Sequence, residues 1–95
     1  MKFFIKNTIQ KFDEICIKLL IKELENPSWP VALRACRAIE LLGSQAREAI
    51  PAMKNIYTLN RHKKGDAALF LAFSSGAFLE RLGAKTEPWN FAPKK

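Results

Sequence analysis

Apolar residues recur every three or four positions along most of the chain, which is the spacing of amphipathic helices. Over residues 8–25 the polar positions, including Glu14 and Lys18, recur at the same interval. The pattern predicts a first helix that ends at Asn26, because Pro27 disfavours helical geometry in the residue before it. Its predicted apolar face consists of Ile9, Phe12, Ile15, Cys16, Leu19, Leu20 and Leu24.

Three further helices follow from the same pattern. The second runs to Leu42 after Ser28 as N-cap, and the third is centred on residues 52–59. The fourth, over 67–82, is apolar almost all round, and we therefore predict that it packs against neighbours on more than one side. Its Ser74, Ser75 and Gly76 either permit close helix approach or are weak helix formers held by packing. No strand-type alternation appears, so the sequence predicts an all-α fold of four helices with an irregular C-terminal tail over 85–95.

Two parts of the chain resemble each other. The segment 38–44 aligns with 78–84 at an offset of 40 residues, so the first and second helices correspond to the third and fourth. A period near 40 with two helices per unit is typical of HEAT and armadillo-type solenoids. We therefore predict one helical-repeat domain over 1–84, with repeat one at about 8–43 and repeat two at about 44–84.

The first unit and the entry to the second resemble the HEAT-like repeats of the phycobilisome-lyase type. The resemblance rests on Asn26-Pro27, Val31 to Ala35, Ala38-Ile39, Leu42-Gly43, Ala46, Ala49 and Pro51. More narrowly, the runs Asn-Pro-Ser-Trp-Pro-Val (26–31), Leu-Leu-Gly (41–43) and Ala-Ile-Pro-Ala-Met-Lys (49–54) are similar to the helical extension after the catalytic domain of some bacterial arylsulfatases. The resemblance implies a right-handed stack of two helix pairs, here detached or truncated from an enzyme. The second unit departs from the pattern, since Phe70 and Phe73 stand where small residues are expected.

Residues suited to catalysis or metal binding are few. His62 is the only histidine, and Cys16 and Cys36 do not form a metal-ligand spacing. The Cys/Ser-x-Pro-x-Arg nucleophile motif of sulfatases is absent. We predict no catalytic, cofactor or metal site, and therefore no enzyme. The longest uncharged stretch, 67–79, is too short for a membrane span, and no signal peptide is visible, so the compartment stays open.

The net charge of +7 supports a second hypothesis, a basic HEAT-like binder of a polyanion such as nucleic acid or a sulfated glycan. Its candidate contacts are Arg34, Arg37, Arg47, Arg61, Lys63 and Lys64. The cations are dispersed and interleave with Glu along the helices, however, which favours solvated helix faces. The polyanion hypothesis therefore ranks below an interaction role.

Aromatic residues concentrate in the last third of the chain. They predict a partner-docking face made of Phe70, Phe73, Phe78, Trp89 and Phe91. Because solenoids generally need three or more repeats or a polar cap, two repeats leave one face uncovered. Either the tail folds back over the last helix, or the face docks onto another protein, a parent catalytic domain or another copy. The leading hypothesis is a non-catalytic module for protein–protein interaction or scaffolding.

Overall fold

The computed structural model describes residues 14–84, and 82% of these are helical with none in a strand. In chain order the helices are α1, whose described part covers 14–23, α2 (Trp29–Leu42), a 3₁₀ segment (Gly43–Ala49), α3 (Ile50–Asn60) and α4 (Asp66–Arg81). The predicted all-α fold is confirmed for this part of the chain. The beginning of the predicted first helix and the predicted tail, 85–95, lie outside the described residues.

The turn between α1 and α2 forms where the sequence predicts it. The side-chain oxygen of Asn26 accepts a hydrogen bond from the backbone N–H of Ser28 at 2.8 Å, which is an Asx turn. Ser28 has the extended backbone of an N-cap, but its hydroxyl makes no capping hydrogen bond. The predicted N-cap position is therefore confirmed, but the side-chain hydrogen bond that usually accompanies a serine N-cap does not form. Pro30 lies in the first turn of α2, where its missing N–H costs little.

The end of α4 is a Schellman turn. Gly83 adopts a φ of 71°, and the N–H of Ala84 bonds the carbonyl of Leu79 at 2.9 Å. The N–H of Gly83 bonds the carbonyl of Glu80 at 3.0 Å. The Leu82-Gly83 stop that closes the sequence repeat thus has a conformation that favours glycine.

Helix α4 is the most deeply packed element of the described chain, because it contacts both α2 and α3. Its buried residues are Ala68, Leu71, Ala72, Ser74, Ser75, Phe78 and Leu79. Phe78 and Leu79 are fully buried, together with Ile39 of α2 and Met53 of α3. The predicted need for neighbours on more than one side is confirmed.

Gly76 of α4 lies against the ring of Tyr57 in α3. A Cβ at Gly76 would lie 2.9 Å from Cε1 of Tyr57, closer than carbon atoms pack. Of the two interpretations of the Ser74-Ser75-Gly76 run, close helix approach is therefore the right one at Gly76. The exposed fraction of Tyr57 is 3%, so its ring is confined beneath this glycine.

The buried face of α1 matches the predicted face only in part. Leu24 is buried and Leu20 packs against the core, as predicted, whereas Ile15 and Leu19 are 60% and 58% exposed. Ile17, which the prediction left out, is buried. Apolar residues occupy most positions of 15–24, so their spacing fits more than one face of the helix. Contact with the core decides which of these faces is covered.

Candidate functional site

Three large apolar side chains stand exposed within one short stretch of α4. Leu69, Phe70 and Phe73 are 40%, 48% and 59% exposed, and we call this group the outer face of α4. Exposed apolar residues are ordinary when single, whereas a contiguous group of them is a candidate interaction surface. The opposite side of the same helix is buried in the core. Helix α4 thus has apolar residues on both its buried and its exposed sides, which accounts for a sequence that is apolar almost all round.

The predicted docking face is only partly present on this surface. Phe70 and Phe73 lie on the outer face of α4, whereas Phe78 is fully buried and belongs to the core. The prediction is wrong for Phe78, because α4 places it about 140° from Phe73 around the helix circumference, given 100° per residue. Trp89 and Phe91 lie outside the described residues. Leu69 is a surface residue that the aromatic pattern missed.

A polar contact joins α2 to α4 beside the outer face. The hydroxyl of Ser74 donates a hydrogen bond to Oε1 of Glu40 at 2.8 Å, and Nε of Arg37 lies 3.3 Å from the same oxygen. Ser74 is 1% exposed and the Glu40 side chain 16%, whereas the Arg37 side chain is 61% exposed. The buried hydroxyl is thus satisfied by a carboxylate, a bond stronger than one between neutral groups.

This contact and a second one fix the relative direction of α2 and α4. The Cys36 thiol lies 3.9 Å from the carbonyl oxygen of Leu71, and Glu40 is bonded to Ser74. From Cys36 to Glu40, towards the C-terminus of α2, the contacted residues on α4 change from Leu71 to Ser74, which is also towards the C-terminus. The two helices run parallel, with facing residues 34 or 35 positions apart.

The predicted polyanion contacts lie in three different segments. Arg34 and Arg37 are exposed on α2, Arg47 is exposed on the 3₁₀ segment, and the other three lie in the connection between α3 and α4. Arg37 is paired with Glu40, and the Arg61 guanidinium lies 5.7 Å from the Tyr57 ring centroid. Residues 14–84 hold ten Lys and Arg against seven Asp and Glu, so this part of the chain carries only +3.

Both cysteines are free thiols, and Cys16 is half-buried. Cys36 is fully buried, with its sulfur 3.8 Å from that of Met53. Burial raises the pKa of the Cys36 thiol to about 11, so it stays protonated and unreactive at neutral pH. Within residues 14–84 no three metal-ligating side chains converge. None of the helices described is long and apolar enough to cross a membrane.

The Cys36 thiol should make stability depend on pH at the alkaline end. The unfolded thiol titrates near 9.0 and the folded one near 11, so the unfolded state loses its proton first. We expect no effect below pH 9 and a loss between pH 9 and 11 of about 1.4 kcal/mol per pH unit in the free energy of unfolding. Urea unfolding of wild type and Cys36→Ala at several pH values measures it, since the variant lacks this component. Equal slopes in the two proteins would contradict the assignment.

No known protein family, no curated protein and no solved structure matches this chain. The described fold and surface define an all-helical protein with an exposed aromatic helix face.

Proposed function

We propose that this chain is a non-catalytic helical-repeat module of two HEAT-like helix pairs, which binds another protein through the outer face of α4. The observation that carries the proposal is the exposure of Leu69, Phe70 and Phe73 on a helix whose opposite side is buried in the core. Aromatic side chains contribute much of the energy at protein interfaces. Burying this face on a partner would remove three large apolar groups from water.

The burial pattern supports two equivalent helix pairs. Ala32, Ala35 and Ile39 are buried in α2, and the residues 40 positions later, Ala72, Ser75 and Leu79, are buried in α4. The offset is the one at which the sequence itself repeats. Helix α4 adds buried residues of its own at Leu71, Ser74 and Phe78, the first two of which contact α2. The extra buried face is what stacking on a preceding pair requires.

The parallel direction of α2 and α4 also supports stacked pairs. In a solenoid, the second helix of each pair packs beside the second helix of the pair before it, with the same direction. Helix α4 contacts α2 in this manner and contacts α3 as the other member of its own pair. The relation to arylsulfatase extensions stays a prediction, and the proposal does not depend on it.

The polyanion hypothesis has less support. More than half of the net charge of +7 lies outside residues 14–84, and Arg37 already has a carboxylate partner. A solvated distribution of charges accounts for the cations that the structure describes. The exposed aromatic pair, in contrast, has no comparable structural explanation within the fold.

The double variant Phe70→Ser/Phe73→Ser tests the proposal. Both side chains are about half exposed, so the fold should survive with a stability change within about 1 kcal/mol, whereas partner binding should be lost. Immobilised wild type and variant are compared for the proteins each retains from the source cell extract. Every protein lost with the variant is then purified and titrated against both forms by calorimetry.

The matched control is Ile15→Ser/Leu19→Ser, which removes two apolar side chains of similar exposure from α1. We expect the control to retain the same proteins as the wild type and to bind the purified partner with the wild-type Kd. Equal binding by the Phe70→Ser/Phe73→Ser variant would rule out the outer face of α4 as the docking surface.

A further inference from the structure

We propose that the face of α4 carrying Leu69, Phe73 and Glu80 binds α2 of a second copy of this chain, in the parallel arrangement that α4 holds against α2 within one copy. The inference rests on the repeat arrangement of the proposed function and names its partner. The internal contact between α2 and α4 provides the template for this external contact.

The α2 side of the internal contact recurs on α4. At the repeat offset of 40 residues, Glu40, which contacts α4, corresponds to Glu80. Leu33, which packs against the core, corresponds to Phe73. The recurring residues have no such cover, because Glu80 is exposed and Phe73 is 59% exposed. At Glu80 and Phe73, helix α4 therefore exposes the positions that correspond to Glu40, which contacts α4, and Leu33, which packs against the core.

The α4 side of the internal contact recurs on α2. Leu71 and Ser74, which contact α2, correspond 40 residues earlier to Val31 and Arg34. Arg34 is exposed and Val31 is half-buried, so this side of α2 is partly open. Each copy thus has both a donor face on α4 and a receiving face on α2.

The charges match across the proposed contact. Where Glu40 accepts a hydrogen bond from Ser74 within one copy, Glu80 would face the Arg34 guanidinium of the next copy. Guanidinium and carboxylate form a strong, directional pair. This charge pair favours binding between copies of this chain.

The geometry of the contact predicts how the assembly grows. The two faces are different surfaces of the molecule, so each copy that binds leaves its own α4 face open to another copy. Such a heterologous contact adds copies in a row unless the rotation closes a ring. The assembly should therefore enlarge as protein concentration rises.

Sedimentation velocity of the full chain over a range of concentrations tests the inference. The wild type should sediment faster as its concentration rises. Glu80→Arg and Arg34→Glu should each weaken association at least tenfold, because each places like charges opposite each other. The double variant Glu80→Arg/Arg34→Glu should recover association, since it restores opposite charges with their positions exchanged. Glu48→Arg, an equal charge change at an exposed residue of the 3₁₀ segment, should behave as the wild type does.

Three results would overturn the inference: a wild type that stays monomeric at every concentration, single variants that associate normally, or a double variant no better than the singles. Circular dichroism of each variant excludes loss of the fold as the cause, and Glu80→Gln provides a milder second variant. If the wild type is monomeric but the Phe70→Ser/Phe73→Ser variant loses an identified partner, only the choice of partner is wrong. If neither experiment shows binding, the proposed function fails as well.

Discussion

Replacing Phe78 with alanine is expected to lower the free energy of unfolding by about 3–5 kcal/mol, which is the largest effect of any single truncation proposed for this chain. Phe78 is fully buried in α4, and its removal leaves a cavity beside Leu79 and the other core residues. Domains of this size are usually stable by only about 5–15 kcal/mol. The variant should therefore be close to unfolding at physiological temperature.

Phe73→Ala is the matched control for this prediction. It removes the same side chain from the same helix, but Phe73 is 59% exposed, so we expect a loss of under about 1 kcal/mol. Urea unfolding followed by circular dichroism measures both variants. Similar losses for the two would contradict the placement of Phe78 in the core and Phe73 on the outer face.

The effect of Gly76→Ala on the free energy of unfolding is expected to be destabilising in the wild type and stabilising in the Tyr57→Ala variant. In the wild type, the added methyl group would lie 2.9 Å from the confined Tyr57 ring, and the resulting overpacking costs about 1–3 kcal/mol. Alanine also favours the helix over glycine by about 1 kcal/mol. The clash should outweigh this gain, so the variant is less stable than the wild type and α4 is pushed from α3.

A double-mutant cycle isolates the contact between these two residues. Tyr57→Ala alone should destabilise the protein, because it empties a buried site. Adding Gly76→Ala to that variant should then stabilise it by up to about 1 kcal/mol, since only the helix-propensity term remains. Thermal or urea unfolding of the four proteins provides the cycle. Destabilisation by Gly76→Ala in both backgrounds would show that Tyr57 is not the cause.

The fold class followed from local signals that the structure preserves. Pro27 and Pro30 mark the turn before α2, and the Leu82-Gly83 stop forms the Schellman turn after α4. These signals act within a few residues and do not depend on the rest of the chain. The buried face of α1 depends on tertiary contact instead. Ile15 and Ile17 are equally apolar, and only packing leaves the first exposed and the second covered.

The candidate site was only partly predictable for a similar reason. The sequence located a group of aromatic residues in α4, but hydrophobicity alone does not tell the exposed Phe73 from the buried Phe78. The contact between Glu40 and Ser74 joins residues 34 positions apart, which no local pattern indicates. One signal was present: Glu40 and Glu80 are separated by the repeat offset of 40 residues. That recurrence points to the side of α4 to which the second-copy inference assigns a partner.

The most direct test of the central claim, that the outer face of α4 binds another helical unit, is NMR of the chain labelled with ¹³C at its phenylalanine rings. Signals are assigned by single Phe→Leu variants and followed as protein concentration is raised. We expect the signals of Phe73 and Phe70 to shift or broaden, whereas the signal of the buried Phe78 stays unchanged. Phe70 and Phe73 signals that remain sharp and unshifted, at every concentration and with each purified protein from the capture experiment, would contradict it.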